Sequence, residues 1–269
     1  MADSSLYSLL ETGAAYGLLP VAFAQSAILH SDTLQADPAA GALCGEAGDL
    51  DDARCLRLLV IGDGSAIGGG CARIDESLAP RLAFALAMRL RCRVRWQVIG
   101  GAGWTAARLD RELFGAGVPE ADIALVMIGT NDAVTLTPRV DWRRDLESLR
   151  GRLLGRGVRL LGFSGLPAMR SLPRLAWPLG PLLGRRARQL DAVLRAMVRA
   201  MPLAADRTVL HLPVPAPDRA SDLAADGLHA SASGYALWAS HLATTLADEW
   251  RALPSAVADD LQHERAGQQ

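Results

Sequence analysis

The sequence predicts an α/β chain: a three-layer α/β/α sandwich on a flavodoxin-like parallel sheet of about five strands, with a helical N-terminal extension. Short apolar runs without polar alternation occur at Leu56–Ile61, Val94–Ile99, Asp122–Ile128, Val158–Phe163 and Thr208–Leu212, the pattern of strands covered on both faces. Helical patterns at Glu76–Leu90, Thr105–Phe114, Trp142–Leu154, Gly184–Ala200 and Ser231–Leu253 alternate with them. That alternation implies right-handed βαβ units stacked in layers. At 269 residues, with 50% hydrophobic and 21% charged, the chain is long enough to bury one large core.

In chain order, residues 1–54 read as an N-terminal extension, helical at first and then, from Ser31 to Asp52, a linker rich in Ala, Gly, Asp and Pro. The apolar stretch Ala14–Leu29 is shorter than the roughly 20 residues a bilayer span needs. It also contains Pro20 and Gln25, so a packing helix is expected in place of a transmembrane span. The first ionisable side chains are Asp3 and Glu11, without a basic n-region, so a cytoplasmic protein is expected. Residues 55–253 form the expected domain and 254–269 a polar tail. Within the domain, Ser164–Gly184 carries four prolines and several leucines directly after a strand. Such a segment either walls a ligand pocket above the sheet or caps the core.

The 28 basic residues nearly balance 29 acidic ones, for a formal charge of −1, so no global field draws nucleic acid or anionic lipid. All 28 are Arg; Lys is absent and Asn occurs once. Without Lys a P-loop is excluded. Cys44, Cys55, Cys71 and Cys92 include no CxxC pair and have no His at ligand spacing. Neither a metal site nor a disulfide framework is expected.

Three constellations fall at the carboxyl ends of predicted strands, where open α/β sheets place ligands. These are Gly62-Asp63-Gly64-Ser65-Ala66-Ile67-Gly68-Gly69-Gly70, Gly129-Thr130-Asn131-Asp132 with the sole Asn, and Asp226-Gly227-Leu228-His229 before the last helix. An Asp three residues before a His can turn its carboxylate onto Nδ1, fixing the tautomer and freeing Nε2 as a base. Taken alone, such a pair also reads as a polar capping loop. An Asn amide in a glycine-flanked turn can donate to an oxyanion or close the turn on itself.

Taken in order, these residues resemble the SGNH hydrolases, also called the GDSL esterase and lipase family, over about 200 residues. Gly62-Asp63 matches the family's Gly-Asp-Ser block, and Gly103 in Gly101-Ala102-Gly103-Trp104-Thr105 the second block's glycine. Gly129–Asp132 matches Gly-x-Asn-Asp, and Asp226–His229, followed by Ser231–Tyr235, matches the last block. The resemblance implies metal-free hydrolysis of carboxylic esters or thioesters, here a small acyl ester of short to medium chain, with no cofactor. It assigns His229 as base and acid, Asp226 as its orienter, and Gly103, Asn131 and the amide of residue 64 as oxyanion hole.

One departure matters most. The family's nucleophile slot, set by Asp63 and Gly68, holds Gly64. Ser65 is the next residue, but one step along a turn or nascent helix rotates a side chain by about 100°. Three explanations stand at this point: an inactivating substitution at Gly64, Ser65 as nucleophile of a re-formed elbow, or a non-hydrolytic relative that binds acyl ligands. A further reading takes Gly62-x-Gly64-x-x-x-Gly68 as a dinucleotide-binding turn. It lacks the expected acidic residue after the next strand, which ends Gln97-Val98-Ile99-Gly100.

Overall fold

A computed structural model of the chain describes residues 38–49, 54–200, 205–217 and 219–254. The expected N-terminal helix and all but the first residue of the expected tail lie outside the described residues. The strands are β1 (Cys44–Ala47), β2 (Cys55–Gly62), β3 (Arg93–Gly100), β4 (Ile123–Met127), β5 (Leu160–Ser164) and β6 (Thr208–Leu212). The helices are α1 (Leu78–Leu90), α2 (Ala106–Ala116), α3 (Thr130–Val134), α4 (Arg139–Gly155), α5 (Leu179–Arg199) and α6 (Ala232–Ala252). They build one six-stranded sheet in the order β1-β3-β2-β4-β5-β6.

The five expected strands are mutually parallel and run in doubly wound order. β1 is an addition: it pairs antiparallel with β3, Cys44 opposite Gln97 and Ala47 opposite Val94. This strand lies inside the segment expected to be a linker, so the expected boundary at 54/55 falls within the sheet. Cys44-Gly45-Glu46-Ala47 has no apolar run to mark it. An edge strand needs only backbone pairing on one side and can be polar.

Side-chain alternation along the central strands feeds two cores. Leu59 and Ile61 of β2, Ala124 and Val126 of β4, and Leu161 and Phe163 of β5 face α2, α4 and α5. Leu58 and Val60, Leu125 and Met127, and Leu160 face α1 and α6. The second layer is held by small residues on both helices, among them Ala79, Ala83, Ala239 and Ala243. α5 starts five residues before the expected Gly184, because Pro181 sits in its first turn, where a missing N–H costs nothing. α6 begins at Ser231, whose hydroxyl accepts from the Gly234 N–H at 3.2 Å.

At its carboxyl end β2 presses so closely on β4 that a Cβ on Gly62 would lie 1.9 Å from the Met127 carbonyl oxygen. Gly62→Ala is therefore expected to break the β2–β4 register and lower the melting temperature by about 10 °C or more. Gly151, inside α4 with nothing within 4 Å of an added Cβ, is the opposite case. Gly151→Ala is expected to stabilise by about 0.5–1 kcal/mol. Thermal melts of both variants check the pair; a Gly62→Ala variant as stable as its parent would contradict the packing described.

Candidate active site

The loop after β2 is a tight turn. The Ala66 and Ile67 N–H groups donate to the Asp63 carbonyl, and the Ser65 N–H donates to Asp63 Oδ1 at 3.0 Å. Asp63 is anchored in turn through its own N–H to the Met127 carbonyl at 3.0 Å. The Gly69 N–H donates to the Gly64 carbonyl at 2.7 Å, closing the glycine-rich segment back on itself. Gly68 and Gly70 adopt φ of +82° and +88°, a left-handed conformation that favours glycine. From α6, the buried Tyr235 hydroxyl clamps the loop, donating to the carbonyls of Gly69 at 2.8 Å and Ser65 at 3.2 Å.

The loop before α6 carries the Asp–His pair. Asp226 Oδ1 accepts the backbone N–H groups of Leu228 at 2.9 Å and His229 at 3.0 Å. Its Oδ2 faces His229 Nδ1 at 2.7 Å. Burial raises the Asp226 pKa, but the ring N–H and the two backbone donors outweigh it and hold the carboxyl below the usual range. With Nδ1 engaged by the carboxylate, Nε2 is the ring's free position, and among the described residues it has no hydrogen-bond partner. It points at the backbone of residue 64: a Cβ built on Gly64 would lie 3.1 Å from Nε2, with no other group within 4 Å except the rest of that ring.

The remaining loops meet the same edge. The Gly101 N–H donates to the Gly62 carbonyl at 3.2 Å, holding the β3 loop against β2. Asn131 Nδ2 donates to the Trp104 carbonyl at 3.1 Å, and Asp132 accepts the Ala106 N–H, its nearer oxygen at 3.1 Å. The single Asn therefore braces the turn containing Gly103, whose φ is +72°. The N–H groups of Gly64 and Gly103 donate to no acceptor among the described residues.

Asp63 and Asp132 are buried carboxyls. Burial pushes Asp132 up to about 7 despite the Ala106 N–H and the Thr137 hydroxyl, with Asp63 and Asp145 adding repulsion. It pushes Asp63 up to about 6 against the pull of the Ser65 N–H and the His229 imidazole. A cleft of about 490 Å³ opens beside this cluster, lined by Ser65, His229, Pro167, Leu172, Pro215 and Trp238 among others. Both readings of the Pro-rich segment hold in part: Pro167–Leu172 walls the cleft, while Leu175 and Leu179 are buried in the core.

The structure thus brings Gly64, Asp226 and His229 together and joins Gly103 to Asn131 through Trp104. Ser65 lines the cleft but makes no hydrogen bond to His229 among the described residues. Sequence reasoning missed the Tyr235 clamp and the two buried carboxyls. The Ser231–Tyr235 run and the Asp132 neighbour of Asn131 were the available signals. A second pair, His211 Nε2 of β6 and Asp191 Oδ1 of α5, lies 2.8 Å apart, and Asp191 Oδ1 also accepts the Leu166 N–H.

Residues 60–237 match the GDSL-like lipase/acylhydrolase family. Among solved structures, a lipase from a goat rumen metagenome superposes with a TM-score of 0.55 at 15% identity, covering 70% of this chain and 96% of its own. A Clostridium thermocellum family 3 carbohydrate esterase gives 0.55 at 19% identity, covering 74% and 98%. TesA gives 0.50 at 16%, covering 71% and 97%. At these identities the likeness is one of fold. No curated protein matches the sequence. Among the described residues no helix is long and apolar enough to cross a membrane.

The buried carboxyls set a pH dependence. Unfolded, Asp132 ionises near its usual 3.8, whereas the folded protein keeps its proton up to about 7. Its stabilisation is therefore full below the unfolded value and is lost as pH rises through the folded one. Asp63 acts in the same direction up to about 6, and Asp226 opposes it only on strong acidification. The melting temperature is expected to fall between about pH 4 and about pH 7, and Asp132→Asn to flatten that fall. A parent profile that rises, or an unchanged slope in the variant, would contradict this reading.

Proposed function

Because the chain belongs to the GDSL-like lipase/acylhydrolase family, we propose that its cleft hydrolyses small carboxylic esters of short to medium acyl chain, with Gly64 standing where acyl-transfer chemistry places its nucleophile. The observation that carries this reading is the aim of His229: Nε2 lies 3.1 Å from the Cβ position of residue 64, with Asp226 on the opposite ring nitrogen at 2.7 Å.

In this reading His229 takes a proton from the attacking group and returns it to the leaving alcohol. Asp226 holds the tautomer and stabilises the transient imidazolium. The N–H groups of Gly64 and Gly103, with the second Nδ2 proton of Asn131, donate to the oxyanion, while the Trp104 carbonyl fixes the amide's plane. The cleft of about 490 Å³, walled by prolines and leucines, suits a small apolar acyl group. Ser65 is a poorer candidate for attack: its backbone N–H and carbonyl are held by Asp63 and Tyr235, and its hydroxyl makes no hydrogen bond to His229 among the described residues.

Hydrolysis of p-nitrophenyl acetate by the parent, Gly64→Ser and Gly64→Ser/His229→Ala tests the proposal. Gly64→Ser is expected to gain about 10²-fold or more over the parent, and to lose that gain when His229 is also replaced by alanine. No gain would mean that residue 64 is not the nucleophile position. Acyl-ligand binding without hydrolysis by any of the three chains would favour an acyl-binding role.

A further inference from the structure

We infer that the chain, with glycine at position 64, hydrolyses esters by a single displacement in which a water molecule takes the place of the seryl hydroxyl before His229. This rests on the hydrolase reading above and adds a mechanism to it. Two glycines flank Nε2: a Cβ on Gly64 would lie 3.1 Å away and one on Gly69 2.9 Å away. Neither position therefore places a side chain against Nε2. Among the described residues Nε2 is unpartnered, and its orientation is fixed by a carboxylate that is itself held by the N–H groups of Leu228 and His229.

A general base aimed at a place a water can enter, beside free backbone donors, is sufficient for direct attack. His229 Nε2 removes a proton from the water as its oxygen bonds to the acyl carbon. The carbonyl electron pair moves onto oxygen, held by the Gly64 and Gly103 N–H groups. The pair then returns, the bond to the alkoxide breaks, and the imidazolium gives its proton to the departing oxygen. One ester and one water yield one acid and one alcohol, and no bond to the protein is made.

The route differs from a serine route in what it leaves on the protein. During steady p-nitrophenyl acetate turnover, quenched parent chain is expected to carry no acetyl group by intact mass, and the progress curve to show no burst. Gly64→Ser is expected to show both. His229→Ala removes the base, and Gly64→Ala puts a methyl group where the water enters; each is expected to lower the parent rate by about 10²-fold or more. Gly64 has an ordinary φ, so the alanine variant can fold, and a thermal melt confirms it.

An acetyl group on Ser65 of the parent, or loss of turnover in Ser65→Ala while Gly64→Ala keeps it, would assign the attack to Ser65 and overturn the inference. A parent no faster than His229→Ala, beside an active Gly64→Ser, would overturn the inference and leave the hydrolase reading standing. Inactivity of both the parent and Gly64→Ser would remove the hydrolase reading as well.

Discussion

Everything proposed for the cleft depends on the bond between Asp226 and His229. A neutral imidazole has one N–H and one free lone pair, and which nitrogen carries which is set by the partner. The 2.7 Å contact at Nδ1 places the lone pair on Nε2. The two backbone N–H groups on Asp226 Oδ1 keep the carboxylate from swinging. The partner surface is equally constrained: the glycine turn is bonded to β4 through Asp63 and clamped from α6 by Tyr235. Base and target thus belong to different elements, and the sheet and the last helix hold them in register.

The site is costly to hold. Carboxyls buried at Asp63 and Asp132 oppose stability, while the close backbone approach at Gly62 and Gly70 and the left-handed turns at Gly68, Gly70 and Gly103 reserve those positions for glycine. The two cores packed on the sheet offset them. Such constraints gathered at the carboxyl edge of an otherwise regular sandwich are the usual distribution when a fold carries a site.

Much of this was legible in the sequence because burial writes it there. The five parallel strands carry mostly buried apolar residues, so their runs appear with boundaries within about two residues of the expected ones, and the helices follow from their periodicity. β1 was not legible, since Cys44-Gly45-Glu46-Ala47 joins the sheet through backbone pairing and the ion pairs of Glu46 to Arg93 and Arg95, with no apolar run to mark it. Nor was the early start of α5, where proline suggested a loop. At the candidate site, Asp226, His229, Asn131 and Gly103 are the residues that the blocks single out. The Tyr235 clamp depends on a contact 166 residues apart in sequence, so the Ser231–Tyr235 run marks the residue but not its partner.

The central claim is that the place served by His229 is residue 64 and not residue 65, and a thiol placed there reports on it directly. A cysteine beside an imidazole is held as thiolate well below its ordinary pKa of about 8.5. Iodoacetamide reactivity of Gly64→Cys, followed against pH on the peptide containing residue 64, separates it from Cys44, Cys55, Cys71 and Cys92. The geometry predicts a midpoint at least about one unit below the ordinary value, abolished by His229→Ala, with an ordinary midpoint in Ser65→Cys. An ordinary midpoint at position 64, or a depressed one at position 65 alone, would contradict it.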